Sequence, residues 1–221
     1  METKMPIETW FPSVVFYQDY ELKPELRASV LAAVDEKTAA LVEATGGRVT
    51  ASDASNDLHL DPRIAKLFGV FAPALKDFLF SDLGIDPQGT EFYIGRCWPV
   101  VQDDGEFAGG AHMHSGAVFS GVFYLQVPDG AGPLQFTKPY RSSYDGFDKA
   151  DNNALNYLAT EYPAIANRLI VFSSDLVHQR LSNSVVSEGR RIAIAFDLYS
   201  MVDIGMKGGG MPHFELLRRL V

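Results

Sequence analysis

The spacing of apolar positions changes part-way along the chain. In "ELKPELRASVLAAVDEKTAALVEATGG", residues 21–47, Leu26, Val30, Ala33 and Val34 recur at helical spacing. Pro24 suits a first helical turn and Gly46-Gly47 supplies a stop. A second helical stretch opens at Asp61-Pro62, a cap followed by proline, and runs through "RIAKLFGVFAPALKDFLFSDLG". Pro73 is expected to kink or split it. The N-terminal third therefore reads as helical, a layer packed against the remainder of the chain. From residue 91 the period falls to two. "EFYIGRCW", "AVFSGVFYLQV", "GPLQFT", "NRLIVFSS" and "RRIAIAFDLYS" are short, rich in β-branched and aromatic residues, and separated by Gly, Pro, Asp and Asn. Residues 138–167 are more polar and read as a long insertion, with a short helix around "NNALNYLATEY". The tail "MKGGGMPHFELLRRLV" carries a Gly208-Gly209-Gly210 hinge and a short amphipathic end. That end suits docking on the core or on a partner, a homodimer included. Helices first and strands afterwards predict a mainly β, α+β fold: an antiparallel sandwich or barrel braced by helices.

Composition narrows the class. A chain of 221 residues is expected to form a single domain, with a mostly helical part (1–90), a β core (91–200, with the 138–167 insertion) and a tail (201–221). The net charge of −9, with Lys and Arg scattered, argues against nucleic-acid or anionic-membrane binding as the main role. Cys97 is the sole cysteine, so no intramolecular disulfide and no Cys-based zinc cluster can form. No stretch approaches the roughly 18 apolar residues of a membrane span, and the N-terminus lacks the apolar core of a signal peptide. A cytoplasmic protein is the expectation.

Chemistry concentrates in a few side chains. His112 and His114 stand one residue apart before an apolar strand, and on a strand both would project to one face with Met113 turned away. Alone, the pair could be no more than a polar strand edge. His178, at the end of another apolar strand, offers a third imidazole that an antiparallel barrel could bring to the first two. His59 and His213 fit no such scheme and read as surface residues. In "RRIAIAFDLYS", Arg190, Ile192, Ile194, Phe196 and Leu198 share one face, bulky enough to pack on a second layer. Arg191, Ala193, Ala195, Asp197 and Tyr199 share the other, where two alanines leave room in front of a guanidinium. Such an arginine can grip a carboxylate bidentately or form an ordinary salt bridge.

Taken together, "AHMHSGAVFSGVFYLQVPDGAGPLQF" and "FSSDLVHQRLSNSVVSEGRRIAIAFDL" resemble the Fe(II)- and 2-oxoglutarate-dependent oxygenases. The likeness is greatest to a bacterial and phage branch with an H-x-H motif, and "IETWFPSVVFYQDYELKPEL" resembles the start of that branch. The resemblance implies a double-stranded β-helix, or jelly roll, with Fe(II) in its mouth. It implies His112, His114 and His178 as metal ligands, with His114 standing where most of the superfamily has Asp or Glu. It further implies a dioxygenase that turns 2-oxoglutarate and O₂ into succinate and CO₂ while oxidising a small-molecule or peptide substrate. Arg191 would bind the far carboxylate of the co-substrate. Where the family often has Arg-x-Ser, this chain has Arg191-Ile192-Ala193. Tyr124, or Tyr93 on an earlier strand, would supply the replacement hydroxyl.

Two other readings share the histidines. One is a cupin-like three-histidine dioxygenase that does not use 2-oxoglutarate. It expects a glutamate shortly after H-x-H, where positions 118–120 read Val-Phe-Ser. The other is a non-catalytic, metal-holding jelly-roll binding module. For a carboxylate near the metal, the acidic loop Asp103-Asp104-Gly105-Glu106 and Asp175 are the sequence candidates.

Overall fold

The strand-period half of the chain folds into two antiparallel sheets that face each other. The computed structural model describes residues 9–45, 56–102, 110–182, 189–200 and 218–221. The larger sheet has the order β1-β6-β3-β8-β2-β9. Its strands are β1 (Val15–Asp19), β2 (Phe92–Gln102), β3 (Phe119–Gln126), β6 (Arg168–Ser173), β8 (Arg191–Ser200) and β9 (Arg218–Arg219). The smaller sheet, β5-β4-β7, comprises β4 (Leu134–Thr137), β5 (Ala159–Tyr162) and β7 (His178–Arg180). A single antiparallel bridge, His112 to His178, adds the backbone of His112 beside β7.

The strand period decides what each face of the larger sheet meets. Phe119, Phe123 and Leu125 of β3, Leu169 and Val171 of β6, and Ile192, Ile194, Phe196 and Leu198 of β8 lie in one buried cluster with the helices. The alternate residues Tyr124, Ile170, Phe172 and Ala193 meet Leu134 and Phe136 of the smaller sheet in a second cluster. Phe136 and Phe172 join the two sheets edge-to-face at 4.9 Å. A bulge after Ile94 resets β2: Ile94 pairs with Leu198, but Arg96 pairs with Asp197. Gly95 is the extra residue, and beyond it Arg96 and Trp98 lie opposite Asp197 and Ala195 on the inner face.

Two helices cover the outer face. Helix α1 spans Pro24–Thr45, and the Gly46-Gly47 stop lies outside the described residues. Helix α2 spans Pro62–Lys76, its N-terminus capped by the Asp61 carboxylate, which accepts from the Arg63 amide at 2.8 Å. Of the two expected outcomes, a kink or a split, the split does not occur at Pro73. The helix continues to Lys76 and widens into one π-helical stretch over Asp77–Asp82. Phe71, Leu75, Phe78 and Leu79 are all buried, and that apolar face offsets the hydrogen bond the proline removes. Phe68 meets Phe196 edge-on at 5.0 Å, and Phe71 tilts against Phe123 at 4.9 Å, so the helices sit directly on β8 and β3.

Four strands lie where none was expected: β1, β5, β7 and β9, the last in the tail. His178 therefore begins a strand of the smaller sheet, β7, and does not end the apolar strand β6. β1 falls in the part read as helical and pairs with β6, Val15 opposite Phe172. β5 falls in the 138–167 stretch, where a turn followed by a strand replaces the expected helix. β1 and β5 are edge strands whose partners are distant in sequence (β6 for β1, β4 for β5), so tertiary pairing outweighs weak local propensity.

At Gly121 of β3 the ring of its β8 partner Phe196 folds over the strand. A Cβ there would lie 2.2 Å from the Cζ of Phe196, itself wedged against Phe68. Gly121→Ala is therefore expected to destabilise the fold by about 1–3 kcal/mol through overpacking. The check is the midpoint of guanidinium unfolding; an unchanged midpoint would mean that Phe196 can move aside.

Candidate metal centre

The smaller sheet and the segment before β3 bring three histidines to one point. His112 and His178 exchange both backbone hydrogen bonds, each 2.9 Å, and the amide of His114 donates to the carbonyl of Ser174 at 2.9 Å. The rings of His112 and His178 stand 4.4 Å apart, those of His112 and His114 5.2 Å, and those of His114 and His178 5.1 Å. One ring nitrogen from each lies within 4.8 Å of the others. Among the described residues no other group of His, Cys, Asp or Glu converges in this way.

The second nitrogen of each ring is already committed. Nδ1 of His112 lies 2.8 Å from the carbonyl of Gly110, and Nδ1 of His178 lies 3.0 Å from that of Leu176. A carbonyl only accepts, so both Nδ1 atoms carry the proton. Nδ1 of His114 lies 2.6 Å from Oδ1 of Asp197, an oxygen that also accepts from the Ser120 hydroxyl at 2.7 Å. In all three rings this arrangement leaves Nε2 as the basic nitrogen, the form in which imidazole binds metal. His178 is 5% exposed and packs against Phe172 at 4.6 Å. Burial pushes its pKa down to about 4, with the two neighbouring histidines acting in the same direction, so the ring is neutral at ordinary pH. The donor set fits a divalent transition metal such as iron.

Arg191 lies on the same inner face, at the start of β8. It is 5% exposed, its Nη1 donates to the carbonyl of Gly132 at 2.8 Å, and its guanidinium sits 5.1 Å over the ring of Tyr124. Tyr124 faces Ala193 across the β3–β8 ladder. Burial raises the Tyr124 pKa, with Arg191 opposing, so the phenol keeps its proton. Arg190 points to the helices, pairing with Asp35 at 3.0 Å. Tyr93 is not brought to Arg191. It lies opposite Tyr199 at the other end of β8, and its hydroxyl donates to Glu91.

Other sequence-level candidates resolve differently. Asp175 accepts from Ser173 and is not in the metal cluster, while Asp103, Asp104, Glu106 and His213 lie outside the described residues. The expectation that His59 is a surface residue is wrong. It is 0% exposed, in a short 3-10 turn (Leu58–Leu60) docked on β2 by a bridge from Asp57 to Cys97. Leu58 on that turn is also buried, and it carries the histidine in with it. Sequence reasoning also missed the groups around His114. Trp98 stacks on its ring at 5.6 Å, Arg96 lies 5.4 Å over Trp98, and Ser120 and Ser174 share a hydrogen bond of 2.7 Å.

Residues 96–197, which carry every member of this cluster, match the family model described as "Putative 2OG-Fe(II) oxygenase". That segment, a little under half of the chain, is similar to the 2OG-Fe(II) oxygenase family. Solved oxygenase structures share the fold over nearly the whole chain. The carbocyclase SnoK of nogalamycin biosynthesis, described as non-heme and alpha ketoglutarate dependent, has a TM-score of 0.60 at 14% identity, covering 95% of this chain and 92% of its own. The epimerase SnoN, in complex with Fe³⁺, alpha ketoglutarate and nogalamycin RO, has 0.57 at 13%, covering 94% of each chain. A prolyl hydroxylase bound to a hypoxia inducible factor peptide, from Trichoplax adhaerens, has 0.54 at 13%, covering 88% of this chain and 87% of its own. At these identities the likeness is one of fold. No curated protein sequence matches the chain.

If the three imidazoles are metal ligands, His178→Ala abolishes stoichiometric Fe(II) binding in an anaerobic titration. Unchanged iron content would show that the cluster is not the metal site.

Proposed function

We propose that this chain is a non-haem Fe(II)- and 2-oxoglutarate-dependent oxygenase. It would work as one domain, a double-stranded β-helix formed by the two sheets, with the metal at its mouth. The observation that carries this reading is the convergence of three imidazole nitrogens, with a buried arginine on the inner face of β8. His112, His114 and His178 hold the iron and leave its remaining positions for co-substrate and O₂. With 2-oxoglutarate bound, iron supplies the oxidation of a substrate by O₂, coupled to conversion of 2-oxoglutarate into succinate and CO₂.

The protein's own groups bind and orient. Arg191 pairs with the far carboxylate of 2-oxoglutarate, its orientation set by the Gly132 carbonyl and the Tyr124 ring. Tyr124, opposite Ala193, brings its hydroxyl to the position where related chains carry a serine. Trp98, stacked on His114, shields that side of the centre from water. Met113, between the two ligands, is 54% exposed.

The substrate is then a small molecule or a peptide. None of the described helices is long and apolar enough to cross a membrane. The reducing cytoplasm expected from a single cysteine suits an Fe(II) cofactor.

The test is anaerobic addition of Fe(II) and then 2-oxoglutarate. A visible metal-to-ligand charge-transfer band supports the reading; no band at millimolar co-substrate sinks it. Arg191→Ala should weaken 2-oxoglutarate binding about 10–100-fold, the worth of a charged hydrogen-bonded pair, while leaving iron affinity unchanged. Arg190→Ala, on the opposite face, should leave both unchanged. The reverse pattern would mean that the other arginine serves the site.

A further inference from the structure

We infer that Asp197 is a positioning residue for His114 and the carboxylate of this metal centre, placed one side chain back from the ion. This rests on the iron-binding reading above and says how a three-histidine site recovers the negative charge that an Asp or Glu ligand would bring.

The juxtaposition is specific to one ligand. His112 and His178 donate their Nδ1 protons to neutral backbone carbonyls, of Gly110 and Leu176. His114 alone donates to an anion, at 2.6 Å, and His114 occupies the position where the wider superfamily has its carboxylate. Asp197 is fully buried, which is costly for a charge unless its partners stabilise it. Those partners are few. Oδ1 accepts from His114 and from Ser120, which is tied in turn to Ser174. Among the described residues Oδ2 has only Arg96, at 3.4 Å and without a hydrogen bond to it, and that guanidinium leans over Trp98. The charge of Asp197 is thus not cancelled by a close, two-point ion pair, and its shortest contact is the one to the metal-facing ring. A carboxylate behind a ligating imidazole fixes the ring's orientation and makes Nε2 a stronger donor. The backbone sets the arrangement: Ser120 and Asp197 are paired residues across β3 and β8, and Arg96 faces Asp197 only because of the bulge at Gly95.

The experiment measures Fe(II) dissociation constants anaerobically, without 2-oxoglutarate, so the readout is independent of turnover. Asp197→Asn keeps an acceptor for His114 but removes the charge, and is expected to weaken Fe(II) about 10–100-fold. Binding within about twofold of wild type would overturn the proposal. A second pair of variants tests the placement of the charge. His114→Asp restores the common superfamily motif yet sets two carboxylates side by side, and is expected to bind Fe(II) poorly. Adding Asp197→Asn to it leaves one carboxylate and should recover affinity to within about tenfold of wild type, a coupling that only interacting sites show. His114→Asp binding as well with Asp197 as with Asn at that position would overturn the proposal. Wild type that fails to bind Fe(II) would sink the iron reading itself; wild type and Asp197→Asn binding equally would sink only the role of Asp197.

Discussion

Strand β8 is shared between the hydrophobic core and the candidate site, and its two-residue period keeps the two apart. Ile192, Ile194, Phe196 and Leu198 are buried under the helices. Arg191, Ala193 and Asp197 point the other way, into the space between the sheets. A slip of one residue would exchange an apolar stripe for a polar one, stranding a guanidinium and a carboxylate beneath the helices. The apolar face therefore fixes the register, and the register aims the functional groups. The contact of Phe68 and Phe71 with Phe196 and Phe123 is, in this sense, what holds Arg191 and Asp197 in place.

Much of this is legible from residues alone, because period-two alternation needs only a correct strand. The face carrying Arg191, Ala193, Ala195, Asp197 and Tyr199 can be read from the sequence of β8, whereas the two histidines of H-x-H lie outside any strand and are placed by the bridge of His112 to His178 and the His114–Ser174 hydrogen bond. The features that escape such a reading depend on non-local contacts. Strict alternation puts Arg96 and Trp98 with Phe92 and Ile94, but one extra residue at Gly95 turns them to the opposite face. Strands β1 and β5 exist because β6 and β4 offer open edges. His59 is buried because the turn around it docks on β2. Alternation does place Asp197 on the correct face. Sequence alone points to loops and to the neighbourhood of His178 for a metal-binding carboxylate, whereas Asp197 stands behind the ring of His114.

Directionality within the centre comes from acceptors rather than from the histidines themselves. An imidazole has two ways to hold its proton, and a metal site needs one of them. Two backbone carbonyls and one carboxylate make that choice here, and each acceptor lies in a segment ordered by its own pairing. Leu176 lies just before β7, Gly110 just before the bridge to it, and Asp197 within β8. The tautomers a metal ion would need are thus set by the fold, which would lower the reorganisation that binding such an ion requires.

The same economy governs the arginine. "PDGAGPLQF" reads as a turn entering a strand, and nothing in its composition singles out Gly132. Yet a Cβ at Gly132 would lie 2.0 Å from the backbone oxygen of Leu181, where the chain leaving β7 crosses it. Backbone cannot move aside as a side-chain tip can, so only glycine lets these two segments meet. Their close approach is what brings the Gly132 carbonyl to 2.8 Å from Nη1 of Arg191. With the Tyr124 ring beneath it, the guanidinium is held from two sides. A long side chain that would otherwise sample many rotamers is fixed on the inner side of β8, and the entropy of ordering it is met by folding rather than by ligand binding.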